Sequence, residues 1–217
     1  YFPLNVKLNK QGYPSTDEVI KKNARPLSVQ DFELIANQKE ALILDVRHQK
    51  EFIKGFIPKS IFIGLHGTFA PWVGALIKDI EQPILLVTPV GEEKNTIMRL
   101  SRVGFDNVLG FLDGGFLTWQ NSKKEIDTLE SVSSEFLVPL IEENMENSKS
   151  NILFDVRKPG EYKAGHIKEA KSTPLDFLNN YLEDFPKEKP FFLHCASGYR
   201  SVIASSILKA RGFHNVK

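Results

Sequence analysis

The chain has 217 residues and carries 28 Lys and Arg against 27 Asp and Glu, a balance that gives no electrostatic reason to expect nucleic acid or an acidic membrane surface as partner. Hydrophobic residues make up 41% and suit ordinary globular cores, but no apolar stretch approaches the ~20 residues of a membrane span. One Cys excludes an intrachain disulfide framework and, with no signal-peptide layout at the N-terminus, points to a reducing, cytoplasmic setting.

The opening segment Tyr1-Phe2-Pro3-Leu4-Asn5 lacks an initiator Met and a periodic core, so residues 1–26 read as a linker from a longer protein. Next, Asp31-Phe32-Glu33-Leu34-Ile35 has helical spacing, and Leu42-Ile43-Leu44-Asp45-Val46-Arg47 is an apolar run ending in charge, as a buried strand does. The run Pro83-Ile84-Leu85-Leu86 repeats that pattern. Val103 to Val108 leads into Leu109-Gly110-Phe111-Leu112, a Gly114-Gly115 turn and a helix start at Phe116 to Trp119. The Ser-rich, acidic stretch from Glu125 to Ser134 has no strand pattern and reads as a joint.

Beyond that joint the chain repeats itself. Leu42 to Arg47 recurs as Ile152-Leu153-Phe154-Asp155-Val156-Arg157, and Glu51, Gly55 and Ile57 recur as Glu161, Gly165 and Ile167, all 110 residues on, as Asp45 is from Asp155. Pro83 to Leu86 returns as Pro190-Phe191-Phe192-Leu193, and Val103 to Val108 as Arg211 to Val216. So long a period means a duplicated domain and not a solenoid. Strand-like and helical segments alternate in each copy, which predicts an α/β fold: two domains, each a mostly parallel sheet flanked by helices. The expected layout is a linker over 1–26, a first domain over 27–120, a linker over 121–133 and a second domain over 134–217. Only Lys217 follows Val216, so the second copy is expected to lack its last strand and helix.

The chemistry concentrates in His194-Cys195-Ala196-Ser197-Gly198-Tyr199-Arg200-Ser201, where an apolar run gives way to a helical pattern. A strand that turns through a Gly-containing loop into a helix points successive backbone N–H groups into one nest, which stabilises an anion or a thiolate. Ala196, Ser197, Gly198, Tyr199 and Arg200 are therefore the candidate binding residues around Cys195, the candidate nucleophile, with Arg200 adding a cation and a planar donor fork. A lone Cys after a strand is more often a small buried hydrophobe, but core packing does not require Gly and Arg at these spacings. His194 reads as a strand residue with a satisfied hydrogen bond and no chemical role.

The block Asp155-Val156-Arg157, Glu161-Tyr162, Gly165-His166-Ile167, with the Cys-x-x-Gly-x-Arg loop of Cys195, Gly198 and Arg200, resembles the rhodanese family, as a tandem from about Leu27 onward. Asn9 to Tyr13, the insertion Phe69-Ala70-Pro71-Trp72-Val73-Gly74 and the Cys195 loop further resemble the C-terminal half of fusions between a metallo-β-lactamase-fold persulfide dioxygenase and two rhodanese domains. That resemblance implies a covalently linked N-terminal domain carrying non-haem iron. Five His without metal-ligand spacing predict no metal and no cofactor in this chain.

The family resemblance implies sulfane transfer from thiosulfate or a low-molecular-weight persulfide, through a persulfide on Cys195, to a thiol, sulfite or cyanide. Asp155 and Arg157 are expected as supporting residues, in a buried ion pair with Glu161 as readily as in substrate contact, and His166 as structural.

Aligned on this loop, the first copy has Thr88 for Cys195, Gly91 for Gly198 and Glu93 for Arg200, so it lacks the nucleophile and reverses the charge. It reads as a degenerate domain, with Trp72 either packed in its own core or lining the reactive cleft. Two rival functions remain at this stage. Cys-dependent phosphatases and arsenate reductases place five residues between Cys and Arg where this loop has four, and a non-catalytic sulfur-relay or interaction module would resemble the first copy.

Overall fold

Short apolar runs ending in a polar turn form the strands, and amphipathic segments between them form the helices, in a computed structural model that describes residues 16–146 and 152–217. Most of the expected 1–26 linker, including Asn9 to Tyr13, lies outside the described residues. Contacts divide the chain into one unit running to Asp127, apart from Ile53–Gly55, and a second comprising Ile53–Gly55 and Thr128–Lys217.

In the first unit, helices α1 (Thr16–Asn23), α2 (Val29–Gln38), α3 (Gln49–Phe52), α4 (Phe69–Leu76), α5 (Glu93–Ser101) and α6 (Gly115–Asn121) alternate with strands β1 (Pro26–Leu27), β2 (Leu42–Asp45), β3 (Ile61–Phe62), β4 (Ile84–Val87) and β5 (Val108–Leu112). The strands form one parallel sheet in the order β1-β5-β4-β2-β3. Central β4 is buried at all four residues, as a strand covered on both faces must be. Ser28 caps α2 by accepting the Asp31 N–H, and Phe32 meets Trp119 of α6 edge-on within the core. Trp72 is buried in α4 with Phe69 and Val73.

The second unit repeats the plan on a smaller scale. Helix α7 (Ser134–Glu146) leads to β6 (Leu153–Asp155), α8 (Pro159–Ala164), β7 (Lys171–Ser172), a 3-10 segment (Leu175–Asp184), β8 (Phe192–His194) and α9 (Tyr199–Ala210). The parallel order is β7-β6-β8, so β6 is central, as β2 is flanked by β3 and β4 in the first unit.

As expected, the second unit has a smaller sheet, with no strand after β8 among the described residues, but its last residues still pair with that edge. Val216 forms a parallel bridge with Phe191, the Leu193 N–H donates to the Lys217 carbonyl, and the Lys217 N–H donates to the Phe191 carbonyl. This isolated bridge lies beside β8 at the place where Val108 opens β5 beside β4 in the first unit.

An aromatic cluster supports β6: Phe154 is fully buried, with ring centroids 4.8 Å from Phe185 and 5.6 Å from Phe191. Truncating it leaves a cavity that two other rings cannot both close. Phe154→Ala is expected to destabilise the second unit by about 3–5 kcal/mol, whereas Val90→Ala, at a side chain 76% exposed, should change stability by less than about 0.5 kcal/mol. Denaturant unfolding of both variants checks the contrast.

Candidate functional site

The carboxyl ends of parallel strands gather the candidate residues, because every connection leaves the sheet from that edge. Asp155 and His194 end β6 and β8 as partners in register, and the Val156 N–H donates to the His194 carbonyl. Cys195, the next residue, therefore starts its loop beside the Asp155-Val156-Arg157 turn. Gly198 caps α9 at φ +83°, a left-handed conformation that glycine adopts without the penalty a side chain brings.

Cys195 is a free, half-buried thiol. Burial pushes its pKa up, but the N–H groups of Ser201, Ser197 and Gly198 and the Ser201 hydroxyl together outweigh that, so the thiol lies below its ordinary value. Ser197 and Gly198 match the expected nest, whereas Ser201, one residue beyond it, supplies both an amide and a hydroxyl.

Arg200 is paired within its own unit. Its Nη1 and Nη2 donate to the two carboxylate oxygens of Glu161 at 2.5 and 2.8 Å, so its fork is engaged by a carboxylate and does not stand open for a donor. Glu161, expected in an ion pair with Asp155 and Arg157, lies within electrostatic reach of Arg157 but gives its hydrogen bonds to Arg200, joining it to the start of α8, where it also accepts the Lys158 N–H. The Arg200 bonds, working against burial, bring the Glu161 carboxyl from an ordinary 4.5 down to about 2.

Asp155 and Arg157 clasp each other. The Arg157 Nε donates to both carboxylate oxygens at 3.0 and 2.9 Å, Nη2 donates to Oδ2 at 2.6 Å, and Nη2 also reaches the Gly165 carbonyl at 2.8 Å. Burial pushes the Asp155 carboxyl up, yet Arg157 and the nearby His194 hold it below its usual range. The first unit has the same clasp, Arg47 on Asp45, at 3.0, 3.0 and 2.6 Å. A feature kept where the nucleophile is missing supports the turn and does not by itself mark a reactive site.

One ring nitrogen of His194 falls short of the expected hydrogen bond. Its Nε2 is buried without a hydrogen-bond partner, 3.7 Å from Asp155 Oδ2. Burial and the Arg157 charge lower its pKa more than Asp155 raises it, which favours the neutral ring. His166 packs flat on Tyr162 at 3.7 Å, with Nδ1 at the Tyr162 carbonyl.

The corresponding loop of the first unit has filled itself. Thr88 follows β4 as Cys195 follows β8, Gly91 has φ +93°, and the Glu93 carboxylate accepts the Gly91 N–H with both oxygens at 3.0 Å and lies 3.5 Å from the Thr88 hydroxyl. An internal anion thus takes loop donors of the kind that face Cys195 in the second unit. Among the described residues no group of three or more His, Cys, Asp or Glu could hold a metal ion, and no helix is long and apolar enough to cross a membrane.

Comparison with known proteins matches the rhodanese-like domain twice, at residues 28–122 and 139–217. A putative mitochondrial thiosulfate sulfurtransferase of Schizosaccharomyces pombe is 36% identical over 81 residues, covering 31% of this chain and 57% of that protein. A sulfurtransferase of Allochromatium vinosum is 26% identical over 76 residues, covering 35% of this chain and 71% of that protein. The chain spans about half the length of the first curated relatives it matches. Among solved structures, the thiosulfate sulfurtransferase of Pseudomonas aeruginosa aligns with a TM-score of 0.40 at 20% identity, covering 93% of this chain and 44% of that one.

The pairing of Glu161 with Arg200 has a pH signature. A carboxyl lowered on folding contributes stability that is fully present above its unfolded value of 4.5 and is lost as pH falls through about 2. Glu161→Gln is therefore expected to lower the denaturant midpoint of the second unit by a constant amount above pH 4.5, with the gap closing toward pH 2. A set of unfolding curves across that range checks it.

Proposed function

Because the chain belongs to the rhodanese-like family, we propose that its second unit is a sulfurtransferase that carries sulfane sulfur as a persulfide on Cys195. The observation that supports this most is the lowered thiol in a turn whose amides face the sulfur. The thiolate is the nucleophilic form of cysteine, and this turn favours it without a neighbouring general base.

The reaction is a displacement at sulfur. With thiosulfate, the Cys195 thiolate attacks the outer sulfur, a new S–S bond forms as the old one breaks, and sulfite leaves with the bonding pair. With an organic persulfide the leaving group is the parent thiolate, which takes one proton from solvent. An acceptor thiolate, sulfite or cyanide then attacks the terminal sulfur and returns Cys195 to the thiolate. The loop amides that lower the thiol are suited to hold the terminal persulfide anion.

Arg200 acts in this reading through Glu161, holding the start of α9 against the start of α8 so that the amides keep their aim. Asp155 and Arg157 brace the adjoining turn. The self-filled loop and missing thiol of the first unit support a non-reacting role for that copy. The resemblance of Asn9 to Tyr13 and Phe69 to Gly74 to dioxygenase fusions supports a linked metallo-β-lactamase-fold domain.

Mass spectrometry after incubation with thiosulfate or glutathione persulfide tests the proposal. One added sulfur on Cys195, removed by cyanide and absent from Cys195→Ser, is the expected result. Transfer activity surviving in Cys195→Ser would contradict it. Arg200→Lys replaces a two-pronged contact with one donor and is expected to lower kcat/KM about tenfold, as steady-state kinetics would show.

A further inference from the structure

Ser201 touches the reacting sulfur in two ways, and the displacement described above assigns its side chain no part. It is the third residue of α9, so its N–H belongs to the first turn, which has no intrahelical acceptor. That N–H is among the groups lowering the thiol. Its Oγ lies 3.6 Å from Cys195 Sγ and donates to the Gly198 carbonyl at 3.1 Å.

A hydroxyl has one hydrogen to give. While Cys195 is a thiol, the bonds run in one direction: S–H to the Ser201 oxygen, and Ser201 O–H to the Gly198 carbonyl. Once the sulfur ionises it has no hydrogen to offer, and the contact becomes a hydrogen bond again only if the Ser201 hydroxyl turns.

We propose that the Ser201 hydroxyl is a two-position donor, serving the Gly198 carbonyl while Cys195 is a thiol and turning onto Sγ when the thiolate forms, which makes Ser201 a further catalytic residue of the sulfur-transfer site. The thiol proton leaves to solvent, no other covalent bond changes, and rotation about one C–O bond reorganises the site. The direction is favourable because a hydrogen bond to an anion is roughly twice as strong as one to a neutral carbonyl. When sulfur is loaded, the charge moves outward to the terminal atom and the hydroxyl is released to Gly198. Ser201 thus stabilises the attacking thiolate more than the stored persulfide.

The first unit is consistent with this assignment. Aligned on the same loop, it has Lys94 where Ser201 stands, so the hydroxyl is missing together with the thiol.

The inference rests on Cys195 being the reacting group, but its test does not require sulfur transfer. With one Cys in the chain, the rate of alkylation by iodoacetamide against pH reports on this sulfur alone. Ser201→Ala is expected to move the midpoint of that profile up by about one pH unit, and Ser201→Thr, which keeps the hydroxyl, to stay near the wild type. Sulfur transfer by Ser201→Ala should be reduced at neutral pH and recover as pH passes the raised midpoint. An unshifted alkylation profile in Ser201→Ala, a Thr variant that shifts as Ala does, or a loss of transfer that high pH does not recover would overturn the assignment. A wild type that never gains sulfur, with the alkylation shift still present in Ser201→Ala, would remove the sulfurtransferase reading and with it the catalytic role of Ser201, while the two-position hydroxyl itself would stand.

Discussion

A half-buried thiol whose surrounding hydrogen-bond donors favour its anion is the constraint on which the second unit depends. Burial alone would keep Cys195 protonated and inert. The turn between β8 and α9 reverses that outcome with the Ser197, Gly198 and Ser201 amides and one hydroxyl, and it holds that geometry only because residue 198 can take a positive φ. The surrounding contacts serve the aim of those donors: Arg157 on Asp155 fixes the neighbouring turn, and Arg200 on Glu161 joins the starts of two helices.

The duplicated chain contains its own comparison. Both units set an Asp-x-Arg clasp at the carboxyl end of a strand flanked by parallel neighbours, and both turn from the adjacent strand into a helix through a Gly with positive φ. They differ in what meets the loop donors. In the second unit a thiol does, and the arginine two residues past the Gly turns away to Glu161; in the first, the carboxylate at that position turns back and takes the Gly91 amide itself. The Glu93 carboxylate thus takes an amide that a bound anion would otherwise meet, a difference between the two loops that adds to the missing thiol and the reversed charge.

Much of this was legible in the residues. The repeat, the α/β class with parallel sheets and the reactive turn at Cys195 follow from apolar runs of strand length, helical spacing and the position of Gly198. The partners of long side chains were not legible. Arg200 and Glu161 lie 39 residues apart, and nothing in spacing distinguishes that pairing from one between Glu161 and Arg157, because the choice depends on where α8 begins relative to α9. His194 reads in sequence as a strand residue with a satisfied hydrogen bond, yet its Nε2 lies 3.7 Å from Asp155, beyond hydrogen-bond reach. Ser201 was visible as a hydroxyl in the first turn of a helix, but its contact with Sγ depends on the path of a loop that sequence pattern does not resolve.

The central claim is that backbone dipoles and one hydroxyl, more than a nearby full charge, make the thiolate. Amides in contact with the sulfur are not screened by mobile ions, whereas the pull of a partly exposed guanidinium would be. The most direct measurement is a titration of wild-type Cys195 by the ultraviolet absorbance of its thiolate, at low and at high salt. The account predicts a midpoint below that of an ordinary thiol and nearly the same at both salt concentrations. A midpoint at or above the ordinary value, or one that climbs steeply as salt is added, would contradict it.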